Sequence, residues 1–162
     1  MTLTTSGKFL ARTGGALLIA AVSFGSATAD DMNGSLSAEE SYQIRNGAME
    51  AIAGHMKALG AVAKGEAQAD AGTPVHAMSL NALAKTVPSL FMANATTDKS
   101  RAKPEIWSDW EGFKKAADDF AMATGELAEA AKSGDAGQIG AALGGVGKTC
   151  GGCHKPFRAP KN

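Results

Sequence analysis

The sequence predicts an all-α protein, an antiparallel up-down-up-down four-helix bundle. Four stretches place apolar residues at alternating steps of three and four, the spacing of a helix lying along a core. The composition agrees: 44% of residues are hydrophobic but only 6% aromatic, and 33 are alanine. That balance suits closely packed helices better than a β-sandwich, which draws on Val, Thr, Ile and Tyr. A chain of 162 residues accommodates one such domain and not comfortably two. No strand alternation or internal repeat competes.

Residues 1–29 read as a cleaved secretory signal. Lys8 and Arg12 form its basic end, Ala16 to Phe24 its short apolar run, and Ala27-Thr28-Ala29 its small-x-small cleavage site. The apolar run is about half the ~20 residues that span a bilayer, so a membrane anchor is not expected. The mature domain is then 30–162, with 14 basic and 16 acidic residues. That charge argues against a nucleic-acid binder led by phosphate contacts. An exported, mildly acidic protein of the bacterial periplasm is expected.

The first helix starts at a capping box, Ser37 with Glu40, and runs to about Lys64. Its seam is Tyr42, Met49, Ile52, Met56, Leu59 and Ala63, with Arg45 at one seam position. Gly65 to Gly72 is a small, polar connection. The second helix is expected to open at Thr73-Pro74, an N-cap followed by proline. Its seam is His76, Leu80, Leu83, Val87 and Leu90, and Pro88 ends or kinks it. Ala93 to Lys103 is the longest loop. The third helix opens at Pro104 and runs to about Lys132, through Ile106, Trp110, Phe113, Ala117, Phe120, Leu127 and Ala131. Thr124 fills the remaining seam position, its hydroxyl bonding back one turn, and Ser133-Gly134 closes the helix. Asp135 caps the fourth, whose seam is Ile139, Leu143, Val146, Cys150, Cys153 and Phe157, with Pro160 as its stop.

Cys150 and Cys153 are the only cysteines, and His154 follows them directly. C-x-x-C-H is the attachment signature of c-type haem. On a helix, residues three apart share a face, so two thiols reach the two vinyl groups on one porphyrin edge. The adjacent imidazole then turns onto the iron. Gly151 and Gly152 keep bulk away from the macrocycle. Three other readings compete. A redox dithiol calls for a βαβ pattern that is not visible. A structural disulfide, which an oxidising compartment permits, does not need the histidine. Zinc needs a fourth ligand, and His55 or His76 would have to supply it from distant segments.

Methionine is a known sixth ligand to haem iron. Met49 and Met56 share the first seam, whereas His55 is rotated to its flank. Counting rise along antiparallel helices puts Met49 within ~5 Å of the level of His154 and Met56 ~15 Å away. Met49 is therefore the expected ligand, the alternative being an apolar side chain that only covers the haem. Arg45 lies one turn before it. A haem propionate would pair with its guanidinium; otherwise its stem extends to solvent. Lys148 and Arg158 flank the attachment site on a solvated face, and His76 is expected at or near the surface.

The chain resembles the cytochrome c′ family, the class II c-type cytochromes. The resemblance rests on Ile44-Arg45 with Met49, on Val87-Pro88-Ser89-Leu90-Phe91 and on Pro104-Glu105-Ile106-Trp107. Its most specific part is Gly147-Lys148-Thr149-Cys150-Gly151-Gly152-Cys153-His154-Lys155-Pro156-Phe157-Arg158. It implies a four-helix bundle with one covalent haem c near its C-terminal end, often as a homodimer. Within that family the sixth position is either left open, so that nitric oxide or carbon monoxide binds, or filled by methionine. Pro156 departs from the family pattern and is expected to end the helix early. The primary expectation is a periplasmic electron carrier with His154 and Met49 as axial ligands, serving redox partner proteins. The alternative is a five-coordinate gas binder. No nucleophile–base set or carboxylate pair points to an enzyme.

Overall fold

A computed structural model describes residues 36–161; the expected secretory segment, 1–29, lies outside them. Among the described residues, five α-helices follow in order, α1 (Ala38–Ala63), α2 (Gly72–Thr86), a one-turn α3 (Glu105–Ser108), α4 (Trp110–Ala131) and α5 (Ala136–Phe157), with a 3-10 turn at Pro88–Phe91 after α2. Each long helix packs on the next, and α1 closes the ring against α5. This is the expected four-helix bundle, with α3 as a short addition.

The interior is built from the expected seams. Leu59, Leu80, Thr124, Leu127, Ile139 and Val146 are the largest fully buried side chains. Small residues bring α1 and α5 together: a Cβ on Gly60 would lie 3.8 Å from Leu143, and one on Gly140 3.5 Å from Ala63. Thr124 Oγ1 donates to the Phe120 carbonyl at 3.0 Å, as expected, and also accepts from Asn81 Nδ2 at 3.0 Å, tying α2 to α4. An aromatic cluster fills one end. Phe113 meets Phe91 and Phe157 edge-on, with centroids 5.0 and 5.4 Å apart.

Several boundaries follow the sequence closely. The capping box forms, with Ser37 Oγ accepting from the Glu40 amide at 3.2 Å and Glu40 Oε2 from the Ser37 amide at 2.9 Å. Gly65 and Gly134, at φ 72° and 69°, follow α1 and α4 in the left-handed conformation that glycine adopts without steric cost. Asp135 accepts from the Gln138 amide at 2.7 Å to start α5.

Four expectations are corrected. First, α2 begins at Gly72 and not with Thr73 as its cap. The Asp70 carboxylate accepts from the Gly72 and Thr73 amides at 2.8 and 3.1 Å. One carboxylate oxygen thereby satisfies two orphan donors, leaving Thr73 buried in the first turn. Second, the buried line of α2 is Thr73, Ala77, Leu80 and Ala84. His76 is exposed, one position off the seam, because small Ala77 lets the helix approach its neighbours. Third, the Pro104 helix is broken. Asp109 leaves helical dihedrals (φ −123°, ψ 59°) and its side chain accepts from the Gly112 amide at 3.1 Å, capping α4 afresh.

Fourth, Pro156 does not stop α5 early. Proline removes its own amide donor and crowds the carbonyl four residues back, but this is the last turn, and the Arg158 amide still reaches the His154 carbonyl at 3.0 Å. The helix ends at Phe157, ahead of Pro160, because the chain there pairs with the long loop. Lys103 N donates to Phe157 O at 3.1 Å, Ala159 N to Arg101 O at 2.8 Å, and Ala102 and Arg158 form an isolated antiparallel bridge.

Candidate haem-binding site

Cys150, Cys153 and His154 lie on the last turns of α5, all half-buried. Both cysteines pack against the apolar core on one helix face. Burial pushes both thiols up from their ordinary range; for Cys150, Arg158 opposes the rise, and for Cys153 the neighbouring Cys150 adds to it. A redox dithiol needs the reverse, a depressed thiol pKa. Among the described residues no strand forms a βαβ unit, and no group of three or more His, Cys, Asp or Glu side chains gathers as a metal cluster. The dithiol and zinc readings therefore lose their structural context. Burial, then Arg158 and Arg101, lowers the pKa of His154. That direction favours the neutral imidazole, the form that ligates a metal.

The facing helix supplies the other wall. With Gly60 opposite Leu143 and Ala63 opposite Gly140, each step down α1 matches one step along α5. Extended along both helices, this register sets Met49 at the level of His154. Met49 is half-buried and packs against the core, as does Met56, a little under two turns further along α1.

Arg45 is 4% exposed and does not extend to solvent. Its Nη2 donates to the Ala95 carbonyl, and its guanidinium lies over the Phe91 ring at 5.2 Å from the centroid. Among the described residues, Nη1 is buried with no partner. A buried cationic donor without an acceptor is costly. Its demand fits an anionic group entering the bundle between α1 and the loop, which is what a haem propionate offers. Gly151 and Gly152 leave open space where a Cβ would stand. The residues present therefore fit the cofactor implied by the C-x-x-C-H motif.

An open cleft beside His154 is lined by Arg101, Lys103, Lys155, Arg158 and Lys161. Arg101 and Lys103 were not anticipated as neighbours of this site. Their signal was the pair of cations just before Pro104, but nothing local placed that loop on the end of α5. Lys148, expected on a solvated face, is exposed.

Together the helical ring and the attachment pentapeptide define a c-type cytochrome built on a four-helix bundle. The family model for cytochrome C′ matches residues 40–158. The chain is 39% identical over 123 residues to the cytochrome c′ of Pararhodospirillum photometricum, covering 75% of this chain and 98% of that one. It is similar to the solved cytochrome c′ of Rhodobacter spheriodes, at 34% identity and a TM-score of 0.72, covering 78% and 100% of the two chains. A ferrous lysine-for-arginine variant of cytochrome c prime from Alcaligenes xylosoxidans with bound NO is also similar, at 30% identity and a TM-score of 0.70, covering 78% and 99%. The chain belongs to the cytochrome c′ family, and its cofactor is one covalently attached haem c.

Proposed function

We propose that this cytochrome binds a diatomic gas, nitric oxide or carbon monoxide, at a five-coordinate haem, and that Met49 covers the distal face without ligating it. The observation that carries the reading is the setting of Met49, half-buried and packed against the apolar cluster of the bundle. The NO-bound relative supports it. In this assignment Cys150 and Cys153 would hold the macrocycle by thioethers and His154 would ligate its iron. Arg45 Nη1 would donate to a propionate, while Met49 would keep water from the gas site. Bound haem supplies the iron position at which the gas coordinates. The reading assigns binding and not turnover.

An absorption spectrum of the oxidised holoprotein tests it. A high-spin haem is expected, with rapid carbon monoxide binding once reduced. Met49→Ala should leave the spectrum nearly unchanged and speed gas entry several-fold. A low-spin haem with a sulfur-to-iron charge-transfer band would overturn it. That outcome is the signature of a second reading, a one-electron carrier with His154 and Met49 as axial ligands, which the shared level of the two residues favours. Under it, Met49→Ala converts low-spin haem to high-spin.

The working protein is proposed to be residues 30–162 in the periplasm, residues 1–29 having been cleaved, with a homodimer and periplasmic redox proteins as its partners. Among the described residues, no helix is long and apolar enough to cross a membrane.

A further inference from the structure

His55 on α1 and His76 on α2 serve no part of the haem site, and they come from helices that share no local sequence. The bundle nevertheless sets their Nδ1 atoms 2.9 Å apart, with the rings tilted at 59° and their centroids 5.2 Å apart. His76 is exposed and His55 half-buried. Their backbones are fixed on rigid helices that pack through buried Leu59, Ala77 and Leu80. The geometry points to a surface metal site, in which His55 and His76 clamp a single Cu(II) ion and bridge α1 to α2.

The argument rests on ligand type and span. Two imidazole nitrogens bound cis at about 2.0–2.1 Å in a square-planar field lie about 2.9 Å apart, whereas a tetrahedral centre would spread them to about 3.4 Å. The metal-free separation, that of an Nδ1–H···Nδ1 hydrogen bond, puts both nitrogens within the span that one ion bridges, and a tetragonal field is the preference of Cu(II) and Ni(II). Imidazole is an intermediate nitrogen donor that suits these ions and not Mg²⁺ or Ca²⁺, and Cu(II) heads the affinity order of the divalent first-row metals. No third His, Cys, Asp or Glu joins the pair among the described residues, so water completes the coordination on the open side.

In the metal-free pair one Nδ1–H donates to the other Nδ1. Copper takes both lone pairs. The shared proton moves through solvent to Nε2 of the same ring, and no net proton is released. Each ring turns outward about its Cβ–Cγ bond so that the lone pairs converge on one point. Both rings have solvent beside them, and no other hydrogen bond anchors either one among those described.

The test titrates copper(II) chloride into the oxidised holoprotein and follows the copper by electron paramagnetic resonance. One equivalent should bind as a tetragonal Cu(II) with two nitrogen ligands, and its binding should raise the melting temperature, since the ion bridges two helices of the native state. His55→Gln and His76→Gln should each weaken binding roughly tenfold or more, because the second ligand is lost from a preformed pair, and should leave a single nitrogen in the spectrum. The haem spectrum, read in the same samples, should be unaltered and reports that the variants are folded. A wild-type spectrum showing fewer than two nitrogens would overturn the site without recourse to any variant. So would affinity unchanged in the double variant, which would place the copper elsewhere on the chain.

Discussion

α4 and α5 are both 22 residues long and pack against each other, yet they are different kinds of helix. α4 buries seven side chains from Phe113 to Ala131 and contains two glycines; α5 buries only Ile139, Val146 and Phe157 and contains seven. α4 earns its helical state from an apolar face that meets the core. α5 carries residues with roughly 1 kcal/mol less helix propensity than alanine at a third of its positions. Between Val146 and Phe157 its inward positions, Cys150 and Cys153, are only half-buried. The difference teaches that one helix organises the interior and the other presents a covalent handle. In the site proposed above, the cofactor takes the place of the side chains that α5 lacks.

The most drastic way to break this contrast is to remove the handle. Cys150→Ala with Cys153→Ala should abolish covalent haem altogether, measured by haem staining after denaturing electrophoresis. It should also loosen α5 while sparing α4, which amide hydrogen exchange resolves helix by helix. Retention of full protection in α5 would show that the helix stands without its cofactor. Next in size is Leu127→Ala in α4. Leu127 is fully buried, so the truncation should cost about 3 kcal/mol in urea unfolding, the transfer loss plus the cavity. The smallest expected effect has the opposite sign. A Cβ on Gly144 of α5 meets nothing within 4 Å, so Gly144→Ala should stabilise the protein by about 0.5–1 kcal/mol. The two helices are limited by different things if one loses by losing a methylene cluster and the other gains by gaining a methyl.

Most of this arrangement was legible in the sequence because it is periodic. The seams of α1, α4 and α5 need only the helical repeat, and the capping box at Ser37 and the back-bond of Thr124 are local chemistry. The attachment motif is likewise local, as both thiols and the imidazole lie within five residues. The misreadings share a cause. At α2 two capping residues, Asp70 and Thr73, compete within one turn, and pattern alone does not reveal which oxygen wins. His76 and Ala77 are adjacent, so the seam turns on how closely α2 approaches its neighbours. Asp109 interrupts an apolar period that runs on regardless. The meeting of His55 with His76, and of Arg101 and Lys103 with the end of α5, depends on how separate segments pack, and no short-range signal carries it. Arg45 was visible as a charge on a seam, but the orphaned Nη1 that gives it meaning appears only with the fold.

The stitch between the long loop and the end of α5 has a kinetic meaning. Its bonds join residues more than fifty apart, such as Lys103 Nζ to the Pro156 carbonyl and Arg101 Nη1 to the Ala159 carbonyl. The α4–α5 hairpin, by contrast, forms across a four-residue turn, Lys132 to Asp135. Contacts of large sequence separation are met only after the chain entropy of closing their loop has been lost. On that count the α4–α5 turn is expected to form before the pairing of Ala102 with Arg158 at the other end of the bundle. The end that carries the haem attachment residues is thus expected to close after the short-turn end, in the order that entry of a bulky macrocycle requires.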